Sequence, residues 1–110
     1  MKLPNAEAAV VDDAKVRDYL LSAANPRSRG KPAFFHALGF GFENHEELRY
    51  ALLSIAQSGD ASEGQPRPFG RKFEIRAKLT GPSGKTAQIN TVWIIENGSF
   101  TPRFVTAHPS

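Results

Sequence analysis

The chain has 110 residues, with 14 Lys and Arg against 11 Asp and Glu, a formal net charge of +3, and no cysteine. That length bounds one domain, 1–110, and 40% hydrophobic residues suffice for one modest core. The missing cysteines exclude disulfides, thiolate catalysis and Cys-ligated zinc. No run approaches the roughly 18 apolar residues of a membrane-spanning helix, so no membrane segment is expected.

The opening MKLPNAEAAV has no basic stretch followed by an apolar one, so no leader is expected, and Pro4 favours an extended Leu3. Asp12 or Asp13 suits an N-cap. Val16, Tyr19, Leu20 and Ala23 recur at helical spacing, which predicts a first helix over 13–22. Residues 25–32, NPRSRGKP, read as a basic, flexible loop. Its three cations within five positions, Arg27, Arg29 and Lys31, can wrap a phosphate, although wet interhelix loops are often as basic. Pro32 fits the first turn of a short helix over 33–38, and Gly39 stops it. His36 lies there among aromatics with no local catalytic partner.

Asn44 and Glu47 have capping-box spacing ahead of the apolar stripe Leu48, Ala51, Leu52 and Ile55, and Gly59 ends that helix. His45 and Glu46 find no further ligand at helical spacing, so capping is expected there and no metal. Helices thus cover about 13–57, and 58–70 reads as a loop poor in apolar residues. From 71 the period changes to two. Phe73, Ile75, Ala77 and Leu79 alternate with Lys72, Glu74, Arg76, Lys78 and Thr80, which is a half-buried strand. Gly81-Pro82-Ser83-Gly84 reverses the chain. Ala87, Ile89, Thr91, Trp93 and Ile95 share the next strand's inner face, and a third strand spans 103–107. The expected fold class is α+β, with N-terminal helices packed on a C-terminal antiparallel sheet of three to four strands covering 71–108.

Residues 1–70 carry eight Lys and Arg and nine Asp and Glu, a net of −1. Residues 71–110 carry six and two, a net of +4. The basic excess therefore sits on the sheet, where it suits a polyanion such as RNA or simply keeps a wet face soluble. There is no phosphate-binding Gly-rich loop, HExxH, calcium loop or GxSxG elbow. Three His and no Cys give no zinc spacing, and no carboxylate pair is isolated on an apolar face for glycosidase chemistry, so no cofactor or metal is expected. Polar chemistry gathers on the last strand. Arg103 can hold a phosphate by its fork, and Thr106 and His108 share one face. Arg103 and Thr106 are an odd number apart, so only a bulge, or a substrate lying across the strand edge, would join them.

Several stretches together resemble a small bacterial domain of unknown function. They are Lys2-Leu3-Pro4-Asn5-Ala6, Arg17-Asp18-Tyr19-Leu20-Leu21, Gly30-Lys31, Thr80-Gly81-Pro82, Thr91-Val92-Trp93-Ile94-Ile95 and Pro102-Arg103-Phe104-Val105-Thr106-Ala107. That domain in turn resembles the ribonuclease toxins grouped around barnase, EndoU, the tRNA-cutting colicins and RelE, whose active sites lie on an exposed sheet face. The resemblance implies a metal-independent endoribonuclease in which a 2′-hydroxyl attacks the adjacent phosphate. It implies Lys31 and Arg103 as charge stabilisers, Thr106 as a phosphate-orienting hydroxyl, and His108 as a candidate acid or base. Arg29, Lys72, Arg76 and Thr91 are the expected substrate-binding positions. Gly30 stands where the family often has a histidine, which leaves the general base open. The implied partners are RNA, either tRNA or mRNA, and an acidic immunity protein or antitoxin. The implied site of action is the cytoplasm, reached by a standalone protein or as part of a secreted toxin. The alternative is a non-catalytic protein- or nucleic-acid-binding module of the same fold.

Overall fold

The computed structural model describes residues 1–110. It is an α+β domain with helical elements in its first half and an antiparallel sheet in its second. The helices are α1 (Asp13–Lys15), α2 (Lys31–Ala37) and α3 (His45–Ser58), and the strands are β1 (Ala61–Glu63), β2 (Gly70–Thr80), β3 (Thr86–Glu96) and β4 (Arg103–Pro109). Short 3₁₀ turns at Ala6–Ala8 and Phe42–Asn44 complete the helical half. No helix is long and apolar enough to cross a membrane.

The sheet order is β1-β2-β3-β4, each pair antiparallel. The alternation read in 71–80 and 86–96 appears as burial. Phe73, Ile75, Leu79, Ile89, Trp93 and Ile95 lie on the helix side with Phe104 and Ala107 of β4. Val16, Leu20, Phe35, Leu48 and Leu52 cover them from the helical half, all fully buried. At roughly 1.5–3 kcal/mol for each fully buried large apolar side chain, this layer contact is the main favourable contribution to folding.

Three local expectations are corrected. Residues 61–63, read as loop, form β1 at the sheet edge, paired with Phe73–Ile75 of β2. Three residues with one buried side chain, Ala61, leave no period for a sequence to display. Asn44 does not cap α3 with its side chain. It turns back instead, accepting from the Gly41 N–H at 2.6 Å and donating to the Gly39 carbonyl at 3.0 Å, so it braces the preceding turn. The first helix is α-helical only over Asp13–Lys15 and continues as a π turn, Val16–Leu20. The Leu21 N–H donates to the Val16 carbonyl at 3.0 Å. Val16, Leu20 and Leu21 are all buried, and the wider turn lets one short segment direct all three inward.

The N-terminal arm completes the layer. Val10 bridges Arg103 in parallel, its N–H donating to Pro102 O and its carbonyl accepting from the Phe104 N–H, both at 2.9 Å. This contact carries Asp12 and the first helix over the free edge of β4.

Candidate functional site

β4 contains the irregularity on which the site depends. Thr106 pairs with Val92 and Phe104 with Trp93, so Val105 has no partner and the strand bulges there. The face alternation shifts by one residue at that point. Phe104 and Ala107, three apart, both face the core, and Arg103, Thr106 and His108 share the outer face. Cross-strand pairing extends this face in rows: Lys72, Ile94 and Arg103; Glu74, Val92 and Thr106; Arg76, Asn90 and His108.

Tyr19, at the end of the first helix, reaches over the edge of β4. Its hydroxyl is 2.9 Å from Thr106 Oγ1. The ammonium groups of Lys15 and Lys31 lie 5.3 and 5.5 Å from the centre of its ring. Partial burial works to raise the phenol's pKa. The hydrogen bond with Thr106, then the nearby ammonium of Lys31 and the charge of Lys15, outweigh it and hold Tyr19 below its ordinary value. A cleft of about 490 Å³ opens beside it, lined by the carboxylates Asp12 and Asp18 and the cations Lys15 and Arg27 with Ala14, Tyr19, Asn25, Val105 and Thr106. A second cleft of about 340 Å³ adjoins it, sharing Asp12, Lys15 and Val105 and adding Phe69, Ile94, Glu96 and Arg103.

The basic loop that shapes the first cleft is tied down rather than loose. The buried Ser28 hydroxyl donates to the Tyr19 carbonyl. Asn25 donates to the Asp18 carbonyl at 3.0 Å and accepts from the Arg27 N–H at 2.9 Å. Left-handed backbone at Arg29 (φ 48°) and Gly30 (φ 81°) then turns the chain into α2, which begins at Lys31.

Lys31 and Thr106, far apart in sequence, thus meet through Tyr19. Arg103 lies one cleft away, its Nη2 donating to Asp12 at 2.7 Å and its Nε 3.8 Å from Glu96. His108 shares the Thr106 face, its Nδ1 3.2 Å from the Pro109 carbonyl oxygen. Lys72 and Arg76 lie on the same face, while the exposed Arg29 side chain makes no hydrogen bond or ion pair. Thr91 is corrected. It is wholly buried, donates to the Ile75 carbonyl at 2.9 Å and accepts from the Trp93 indole at 2.8 Å. It is a core hydroxyl with no path to a ligand. His36 lies between the carbonyl oxygens of Phe40 and Leu21, at 2.8 and 3.2 Å, and joins elements rather than facing a cleft.

Tyr19 went unrecognised in the sequence because it lies on the helical stripe with Val16 and Leu20. The nearby Lys15 and Lys31 were its only signal. Asp13 joins His45 and Glu46 to bring three donor atoms within 4.8 Å of one another. These donor types could hold a cation. Arg17 already pairs with Asp13 at 3.3 Å and Arg49 with Glu46 at 3.1 Å, so the group is neutralised from within the chain.

Fold and site together define a small α+β domain with a tyrosine-centred cleft of mixed charge along the outer edge of its sheet. The chain belongs to the family described as a domain of unknown function, DUF6883, which matches residues 2–110. No curated protein matches it. Among solved structures, a chain of the contact-dependent growth inhibition toxin–immunity protein complex from Klebsiella pneumoniae 342 is similar over 96% of both chains, with a TM-score of 0.74 and 20% sequence identity. That likeness shows a shared fold.

Proposed function

We propose that this domain is a ribonuclease toxin that cleaves RNA without a metal ion. The observation that supports this reading best is the convergence of Lys15, Lys31 and Thr106 on an acidified Tyr19 in an open cleft. Cleavage by transphosphorylation needs a base for the 2′-hydroxyl, a proton for the leaving oxygen, and cations on the phosphorane. Tyr19 as phenolate is the base. Lys31 and Lys15 stabilise the phosphorane, and one of them protonates the leaving 5′-oxygen, with His108 the alternative donor. The 2′-oxygen forms a bond to phosphorus as the bond to the 5′-oxygen breaks, giving a 2′,3′-cyclic phosphate and a 5′-hydroxyl.

Thr106 holds the phenolate rather than the phosphate, since its hydroxyl is engaged by Tyr19. Arg103 grips a neighbouring phosphate, and Arg29, Lys72 and Arg76 guide the flanking strand. The RNA is a tRNA or an mRNA of the target cell's cytoplasm. A toxin of this kind needs a guard, and the ammonium groups over Tyr19 call for an acidic immunity protein or antitoxin. The shared fold with a chain of a toxin–immunity complex is compatible with this role.

The test is incubation of the purified domain with total RNA in EDTA. Fragments ending in cyclic phosphate are expected, and their yield should fall sharply with Tyr19→Phe or Lys31→Ala. The second reading, a non-catalytic binding module, is favoured by Gly30 in the loop and by the pairing of Arg103 with Asp12. Binding of RNA without any cleavage would establish it.

A further inference from the structure

A sheet edge with unpaired N–H and C=O groups is a template for another strand. Much of the edge here is covered. The N-terminal arm bonds to Pro102 and Phe104 at the start of β4, and Pro109 ends that strand without an N–H. On the far side the Ala61 N–H of β1 donates to the Met1 carbonyl at 2.6 Å. β1 is too short to finish the cover. It pairs only with Phe73–Ile75, so β2 has no strand outside it from Arg76 to Thr80. The Gly64 N–H donates to the Lys72 carbonyl at 2.9 Å, so the even-numbered residues of β2 turn their N–H and C=O groups away from β3. Arg76, Lys78 and Thr80 therefore aim theirs outward, and no other segment bonds them. All three side chains are exposed on the outer face, while Ala77, half-buried, and Leu79 face the core.

We propose that this open edge takes an acidic, extended segment of a partner protein as an added strand. The inference does not rest on the RNA-cleaving reading, because β2 lies across the sheet from the β4 edge that Tyr19 covers. Main-chain bonds supply the affinity of such an addition, and alternate side chains its selectivity. Arg76 and Lys78 make no ion pair within the chain. Carboxylates on the added strand would stand directly opposite them, and a small apolar residue would meet Ala77 on the other face. The segment that fits thus alternates acidic and apolar residues. A second copy is the wrong occupant. Two-fold pairing of β2 with β2 would set Arg76 and Lys78 against the same residues of the other copy, with like charges opposed. A wholly apolar strand is also opposed, since a lysine on an edge resists it.

The test titrates three blocked heptapeptides by NMR: alternating Glu and Val, the same with Lys for Glu, and the first N-methylated at its glutamates. The acidic peptide should shift the amides of residues 76–80 and slow hydrogen exchange at Lys78 and Thr80. The basic peptide should bind about tenfold or more weakly, through like-charge repulsion. The N-methylated peptide keeps the charge and loses the ladder donors, so it should bind weakly as well. Lys78→Pro removes an N–H that the fold does not use, and its spectrum reports whether the sheet is intact. It should abolish docking and cleave total RNA as wild type does, which separates the edge from the nuclease. Lys78→Glu should reverse the preference between acidic and basic peptides. Equal binding of the parent and N-methylated peptides overturns the proposal, as does equal binding of the acidic and basic ones. So do shifts centred on Lys15, Tyr19 and Lys31 instead of β2. Protection of Lys78 that grows with protein concentration in the absence of peptide assigns the edge to a second copy and overturns it too.

Discussion

Tyr19 and Thr91 are both hydroxyl-bearing residues on the inner stripe of their elements, and their surroundings give them opposite roles. Tyr19 is held at the rim by Thr106 and two ammonium groups. Tyr19→Phe keeps the ring and its packing and removes the proton acceptor, so cleavage should fall by about 10²–10⁴-fold with the unfolding midpoint little changed. A base must be ionised to act. In wild type, kcat/KM should therefore rise with pH to a plateau reached below the ordinary phenol range, in keeping with the lowered pKa of Tyr19. That rising limb should be missing from the residual activity of Tyr19→Phe. Thr91 behaves otherwise. Thr91→Val leaves the Trp93 indole without a partner in the core and removes a side-chain bond to the Ile75 carbonyl. It should cost about 1–3 kcal/mol in denaturant unfolding and leave RNA affinity unchanged. A threonine between two apolar residues of a strand reads the same in sequence whether its partner is backbone or ligand, so only the fold separates the roles.

The long strands and α3 were legible because 11 and 14 residues repeat their period several times. The shorter elements depend on tertiary contact. β1 exists because β2 offers it a ladder, and the π turn exists because three inward demands, Val16, Leu20 and Leu21, meet there. The turn between β2 and β3 was read as a simple reversal, but it also docks on the end of α2. The Ser83 N–H donates to the Leu38 carbonyl at 3.1 Å, and Gly81 lies so close that an added Cβ would sit 1.9 Å from the same oxygen. Gly81→Ala should therefore force the hairpin off α2 and cost about 1–3 kcal/mol or more, read as a lowered thermal midpoint. The bulge in β4 had a sequence trace in Phe104 and Ala107, two inward residues an odd number apart. That trace is faint because alanine is at home on either face.

Across the whole molecule, the basic excess of the sheet half is less free than composition implies. Arg71 is bound by Glu63 at 2.8 Å, Arg103 by Asp12, and Glu74 stands between Lys72 and Arg76 on β2. Around Tyr19 three cations, Lys15, Lys31 and Arg27, make no ion pair. If these three each neutralise a phosphate, the logarithm of affinity for a short single-stranded RNA should fall against the logarithm of salt with a slope of about −2. Lys31→Ala should flatten that slope by about 0.7, measured by fluorescence anisotropy at several ionic strengths. An acidic guard protein should show the same dependence, because it would meet the same cations.

Val105 contributes no chemistry of its own. It acts as a half-beat inserted into a two-beat rhythm, and everything downstream of it is heard in the opposite phase. A variant lacking that one residue would keep each acid, base and cation of the chain. Either its guanidinium or its threonine would then be addressed to the wrong side of the sheet. Length, not composition, is the property this strand must conserve.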